Sequence, residues 1–289
     1  MIIVKLMGGL GNQMFQYAAG RRLAHLHRAV LKLDLSWFGS TLAVETRRRY
    51  ELGAFNIQEQ VASPEEAGRF REGFFLRRLG FLFPFRKRRH ILEQHYHFDP
   101  DILQLPDDVY LEGYWQSPKY FSDIQDIIRT EFTVRSVLDA GNRRMAEEIA
   151  AAESVAIHVR RGDYVSDPAI SSRHGSCSLE YYQAAVKTIV DRVRHPHFFF
   201  FSDDPAWAKE NLSLTGPKTV IDQNGPDKAF EDMRLMSLCK HHIIANSSFS
   251  WWGAWLSKNP EKIVIAPKQW FQDKNMNTDD LIPTKWTRL

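Results

Sequence analysis

The residues His158-Val159-Arg160-Arg161-Gly162-Asp163-Tyr164 concentrate more potential chemistry than any other stretch of the chain. They end an apolar run and break into a glycine-containing loop. Adjacent side chains leave extended backbone on opposite sides, so one arginine can face a ligand while the other pairs with a neighbour such as Asp163. A planar guanidinium suits a diphosphate whose negative charge grows as it leaves. On these residues alone, a pair of arginines tied up in ion pairs is the alternative. A second apolar run ends in Ser202-Asp203-Asp204-Pro205. Those carboxylates could accept hydrogen bonds from a guanine edge or ribose hydroxyls, and Asp204 could equally cap a helix opened by Pro205. Asn246, Ser247 and Ser248 precede an apolar segment and set hydroxyls and N–H groups at a helix start, which favours an anion.

Near the amino end, MGGLGNQMF supplies Gly9 and Gly11, but Met14 stands where a dinucleotide fingerprint has its third glycine. Asp34 could serve as the acidic partner of such a site, so the nucleotide reading is weakened without being removed. Asn12 and Gln13 put two amides beside backbone donors, suited to a sugar or phosphate; helix capping by Asn12 is the alternative. His95 and His97, with Asp99-Pro100-Asp101, suggest a metal site. Asp-Pro is a common turn opening and Asp101 can cap the residues from Ile102 onward, so no metal is expected.

These groups need elements to hold them. Residues 2–6 and 29–35 read as strands around a helix carrying Phe15, Ala18, Ala19, Leu23 and Leu26, a β-α-β opening. A strand is expected at 109–112 and helices at 117–132 and 136–152. From 154 the alternation is regular: strands at 154–160, 197–202, 218–221, 242–245 and 263–265, and helices at 179–193, from Pro205, 230–239 and 247–256. The fold class is therefore α/β, with two parallel-sheet halves, 1–152 and 153–289, and a ligand cleft expected between them. Residues 36–90 resist assignment.

Composition narrows the classes further. With 44% hydrophobic residues over 289 positions the chain can build packed cores. A net charge of +3 lacks the basic field of a nucleic-acid binder, so no nucleic-acid partner is expected. Basic residues are local: Arg47, Arg48 and Arg49 form one cluster, and Arg77, Arg78, Arg86, Lys87, Arg88 and Arg89 bracket Phe81, Phe83 and Phe85. The second cluster suits either a solvated face or reversible contact with an anionic membrane. Two cysteines give no disulfide framework, and no apolar run is long enough for an ordinary transmembrane anchor, so a cytoplasmic protein is expected.

Taken together and in order, GGLGNQMFQYA, HVRRGDYV, CSLEYY at 177–182, FFFFSDDP and EDMRLMSLCKHHIIANSSFSWWGAWL resemble the α-1,2-fucosyltransferases. The resemblance implies a GT-B fold of two Rossmann-like domains, 1–152 on the acceptor side and 153–289 on the donor side. It further implies inverting transfer of L-fucose from GDP-fucose to the 2-hydroxyl of a terminal galactose, with no metal and no cofactor. By the same resemblance Arg160 grips the β-phosphate. His158 and one of Asp203 and Asp204 contact guanine. Ser247 and Ser248 meet the diphosphate, and Asn12 lies beside the reacting sugar. Arg161, Asn246, Gly9 and Gly11 complete the expected donor-binding set. Asp163 is the first candidate for the base, with partnership to Arg160 or Arg161 as its alternative. A non-catalytic sugar or nucleotide module and a dinucleotide enzyme are the other readings of such a cleft. Retention of Arg160 and Asn12 argues against the first, and Met14 against the second.

Overall fold

The computed structural model describes residues 1–39, 48–76, 90–162, 171–172, 175–212, 216–273 and 275–289, and of 71–76 only the backbone. Asp163 and the basic–aromatic stretch 77–89 lie outside the described residues. The chain forms two compact units, Met1–Thr133 with Asn277–Leu281, and Val134–Met276 with Ile282–Leu289. The division therefore falls before the helix Ala140–Ala151, which the sequence placed at the end of the first half. That helix packs on the second sheet: Ile149 is buried with Ala156, Phe199 and Leu235.

In the first unit four strands, β1 (Ile2–Lys5), β2 (Leu31–Asp34), β3 (His90–Leu92) and β4 (Val109–Glu112), form a parallel sheet in the order β2-β1-β4-β3. Helix α1 (Leu10–His27) crosses from β1 to β2. It lies so close to the sheet that a Cβ on Gly20 would stand 2.1 Å from Val4 Cγ2, which explains a glycine in mid-helix. Helix α2 (Pro64–Leu76) begins within the stretch that resisted assignment, and its Ala67 and Phe70 are buried against Ile3 and Tyr110. The helix expected over 117–132 is instead two 3-10 turns, Pro118–Tyr120 and Ser122–Ile124, followed by α3 (Gln125–Glu131). Buried Phe121 interrupts the run with φ −141°, outside helical geometry.

The second unit holds six parallel strands, β5 (Glu153–Val159), β6 (Pro196–Ser202), β7 (Lys218–Ile221), β8 (His241–Ile243), β9 (Val264–Ala266) and β10 (Thr287–Arg288). Their order is β10-β9-β8-β5-β6-β7, the doubly wound arrangement in which the chain grows to one side of β5 and then returns to the other. Both faces are covered. Val155, Ile157, Phe198 and Phe200 pack under α5 (Leu179–Val190) and α6 (Pro205–Asn211), while Ala156, Phe199 and Phe201 pack under α4 (Ala140–Ala151) and α7 (Ala229–Leu238). Two buried faces account for the continuous apolar runs Val155–Ile157 in β5 and Phe198–Phe201 in β6. Helix α8 (Ser248–Leu256) follows β8. Among the described residues no helix is long and apolar enough to cross a membrane.

Candidate functional site

In a doubly wound sheet a ligand sits beyond the carboxyl ends of the strands, where the winding direction reverses. Here that point lies between β5 and β8. Arg160 leaves the end of β5, Asp203 leaves the end of neighbouring β6, and Asn246 to Ser248 leave the end of β8. The register, Val159 beside Ser202 and Ile157 beside Ile243, brings these three loops to one edge.

Asp203 organises the arginine loop. Its Oδ2 lies 2.8 Å from Arg160 Nη1, and its Oδ1 accepts the Arg161 backbone N–H at 2.8 Å. Gly162 is required by this grip, since a Cβ there would meet Asp203 Oδ2 at 2.6 Å. Asp204 caps α6, accepting the Trp207 N–H at 3.1 Å, and its other oxygen lies 3.7 Å from Arg161 Nε, an ion-pair distance too long for a hydrogen bond. The Arg161 guanidinium also sits 4.0 Å from the Trp207 ring centroid, a cation–π contact. Both arginines therefore have acidic partners among the described residues, and both carboxylates are engaged with them and with the backbone.

His158 is buried on the same face of β5 as Ala156. Its ring lies 5.6 Å from Phe249, and its Nδ1 has no hydrogen-bond partner among the described residues. Burial, followed by the charge of Arg160, pulls its pKa down to about 3, so the imidazole is neutral near pH 7.

The phrase at 177–182 proves to be a latch on the switch point. Tyr182 donates to the His158 carbonyl at 3.1 Å, at the end of β5, and Tyr181 donates to the Ile244 carbonyl at 2.6 Å, just past β8. Asn246, expected to bind the donor, is buried. Its amide donates to the carbonyls of Gly175 (3.0 Å) and Trp270 (3.1 Å), and its Oδ1 lies 3.6 Å from Cys177 Sγ. Its described contacts therefore fix loops. Ser247 is the N-cap of α8, with extended backbone and no capping bond from its hydroxyl, and Ser248 is the first helical residue.

In the first unit, Gly9 is the N-cap of α1 with extended backbone, and Gly11 and Asn12 already lie inside the helix. Asn12 does not cap it: its Oδ1 accepts from Gln116 Nε2 at 2.8 Å, joining the first turn of α1 to the loop after β4. The left-handed Gly8, φ +77°, leaves no room for a side chain, because a Cβ would stand 2.6 Å from Asn12 Nδ2. Gln13 is consumed structurally, bonding the Gly8 and Arg49 carbonyls and the Glu51 N–H. The loop after β4 is strained. Trp115 is a buried non-glycine residue at φ 54°, and the Ser117 N–H donates to the Trp115 carbonyl at 2.8 Å. Such a conformation costs on the order of 1–3 kcal/mol and persists only where its surroundings impose it. Glu93 does so, accepting from the Tyr114 N–H (2.7 Å) and the Trp115 N–H (2.9 Å); burial raises its pKa.

The residues weighed for metal binding have other duties. His95 and His97 stack on each other with centroids 4.9 Å apart, and Asp99, rather than Asp101, caps its 3-10 turn by accepting from the Asp101 N–H. Among the described residues no three His, Cys, Asp or Glu side chains cluster for a metal.

Two parallel-sheet units, the second doubly wound with a basic loop at its switch point, define the class: GT-B glycosyltransferases. The model of glycosyl transferase family 11 matches residues 1–289, and the chain belongs to that family. It is 33% identical over 293 residues to an alpha-1,2-colitosyltransferase of Escherichia coli, covering 100% of this chain and 98% of the relative. It is 26% identical over 261 residues to galactoside alpha-(1,2)-fucosyltransferase 1 of Ateles belzebuth, covering 86% of this chain and 63% of that protein. In fold it is similar to the NodZ alpha-1,6-fucosyltransferase co-crystallized with GDP, with a TM-score of 0.56, 16% identity and coverage of 91% and 94% of the two chains.

The glycines, Arg160 and Asp203 were legible in the sequence as site candidates. Gln116, Glu93, Trp207 and the roles of Tyr181 and Tyr182 were not. For the two tyrosines the 177–182 phrase was the available signal. Glu93 and Gln116 carried none, because their partners lie 21 and 22 positions away for Glu93 and 104 for Gln116.

Proposed function

We propose that the protein transfers L-fucose from GDP-fucose to the 2-hydroxyl of a terminal galactose, with inversion at the anomeric carbon and without metal or cofactor. The observation that carries this reading is Arg160, set at the switch point and oriented by Asp203. The acceptor oxygen forms its bond to the anomeric carbon as the bond to the β-phosphate oxygen breaks through an oxocarbenium-like state. The growing diphosphate charge is met by Arg160 and by the start of α8 at Ser247 and Ser248. The acceptor proton leaves to a base, for which Asp163 is the candidate, or to water. A neutral His158 adds no charge of its own beside the guanidinium. The second unit, Val134–Met276 with Ile282–Leu289, forms the donor side and the first unit the acceptor side, with Asn12 positioning the transferred sugar. GDP in the NodZ structure and the α-1,2 linkage named for both relatives support this assignment.

A second reading concerns the donor alone. The 33% identical relative is named for transfer of colitose, which is L-fucose lacking its 3-hydroxyl. A donor pocket that hydrogen-bonds this hydroxyl rejects the deoxy sugar by a factor of roughly 10⁴, whereas a pocket that ignores it accepts both. Purified protein with lactose, EDTA and either GDP-fucose or GDP-colitose decides between them through GDP release and NMR analysis of the linkage. Arg160→Ala is expected to lower kcat by about 100-fold or more, the scale of one preorganised charge contact. Activity that returns only with a divalent ion, or near-normal turnover without Arg160, overturns the mechanism. Action in the cytoplasm, with reversible docking to an anionic membrane through residues 77–89, completes the proposal; failure to co-sediment with anionic vesicles at low salt removes the docking step.

A further inference from the structure

The carboxyl edge of the first sheet carries aromatic surface that the donor chemistry does not use. After β3 the chain presents His95, Tyr96 and His97, and after β4 it presents Tyr114 two residues before Gln116. Tyr96 and Tyr114 approach with ring centroids 6.3 Å apart and planes inclined by 30°, and both remain partly exposed. The parallel imidazoles of His95 and His97 extend the same loop. Two residues on from Tyr114, the Gln116–Asn12 hydrogen bond sets two amides past the ends of β4 and β1, where the winding of this sheet reverses.

We propose that Tyr96 and Tyr114 form the seat of the acceptor sugar, a terminal galactopyranoside, with Gln116 and Asn12 directing polar contacts to its hydroxyls. A pyranose has a face of C–H groups and an equator of hydroxyls. Galactose, with its axial 4-hydroxyl, gathers the C–H groups of carbons 3, 4 and 5 on one side, which suits an aromatic surface bordered by amides. The backbone gives independent support. Tyr114 is fixed by a turn that carries a left-handed Trp115; the backbone N–H groups of Tyr114 and Trp115 are held by half-buried Glu93, while the Ser117 hydroxyl donates to the Asp280 carbonyl at 2.9 Å. Gly113 makes this possible, since a Cβ would stand 2.3 Å from the Glu93 Cβ. A strained turn held from two sides presents Tyr114 in one orientation, the preorganisation that a sugar-binding surface needs.

This inference rests on the reading of the protein as a transferase to galactosides, and the test separates the two. With GDP-fucose saturating, Tyr114→Ala and Tyr96→Ala are expected to raise KM for lactose about tenfold while kcat at saturating lactose stays within about threefold, and Tyr114→Phe is expected to keep the wild-type KM. Saturation-transfer NMR of lactose with the protein alone reads binding without turnover: the wild type gives a signal and the Tyr96→Ala, Tyr114→Ala double variant loses it. An unchanged KM in both alanine variants, or a persistent signal in a folded double variant, overturns the proposal. Lactose binding that depends on these tyrosines in a protein with no transfer activity removes the fucosyl reading and leaves the sugar seat standing.

Discussion

The coupling between Gly162 and Asp203 can be worked out before it is measured. A methyl group on residue 162 would lie 2.6 Å from Asp203 Oδ2, 3.1 Å from Cγ and 3.7 Å from Cβ. The carboxylate cannot swing away cheaply, because it holds Arg160 Nη1 and the Arg161 N–H, each at 2.8 Å. Overpacking of this kind costs about 1–3 kcal/mol, and alanine returns about 0.4–1 kcal/mol by restricting the unfolded chain, so Gly162→Ala should lose about 1–2 kcal/mol. Asp203→Ala removes two charge-assisted bonds, each worth roughly 1.5–3 kcal/mol in favourable cases. Side-chain exposures of 22% for Arg160 and 24% for Asp203 screen part of this, giving a net loss of about 2–3 kcal/mol. In the double variant Oδ2 and Cγ are gone and only the 3.7 Å contact remains, so Gly162→Ala should then be neutral or slightly stabilising. Urea unfolding of the four proteins, followed by tryptophan fluorescence, should show a coupling of about 1–2 kcal/mol. Losses that add to within about 0.5 kcal/mol would refute the claim that Asp203 is wedged against the arginine loop.

Two further outcomes concern stability. Burial raises Asp232 from the usual 3.8 to about 6, although it accepts a 2.8 Å bond from Asn224. Since the folded pKa lies above the unfolded one, ionisation works against the fold; stability falls as pH rises from about 4 to about 6 and stays lower above that. Asp232→Asn should therefore gain about 2 kcal/mol at pH 7 and nothing below pH ~4 in urea titrations, and a gain independent of pH refutes the assignment. Gly20→Ala should cost about 2–3 kcal/mol and be largely relieved by Val4→Ala, because the new methyl meets Val4 Cγ2 at 2.1 Å; a tolerated Gly20→Ala in the wild-type background would show that α1 does not press on β1.

Much of this molecule is local and could be read in one dimension. The apolar runs at 153–159 and 196–202, the glycines at 8 and 9, and the proline that opens α6 follow from periodicity and backbone sterics, so the parallel α/β architecture and the placing of Arg160, Asp203 and Ser248 after strand ends were available from the sequence. Phe121 broke the long helix expected over 117–132 because burial of its ring, which pattern alone does not price, outweighed helical continuity. The tertiary structure alone decided who meets whom. It gave the Asn246 amide to the carbonyls of Gly175 and Trp270, gave both oxygens of Asp203 to the arginine loop, and joined Asn12 to Gln116 across 104 positions. Strand order is the physical reason: neighbours in a parallel sheet are set by which crossover packs on which face, so the loops that share an edge are fixed only when the sheet is complete.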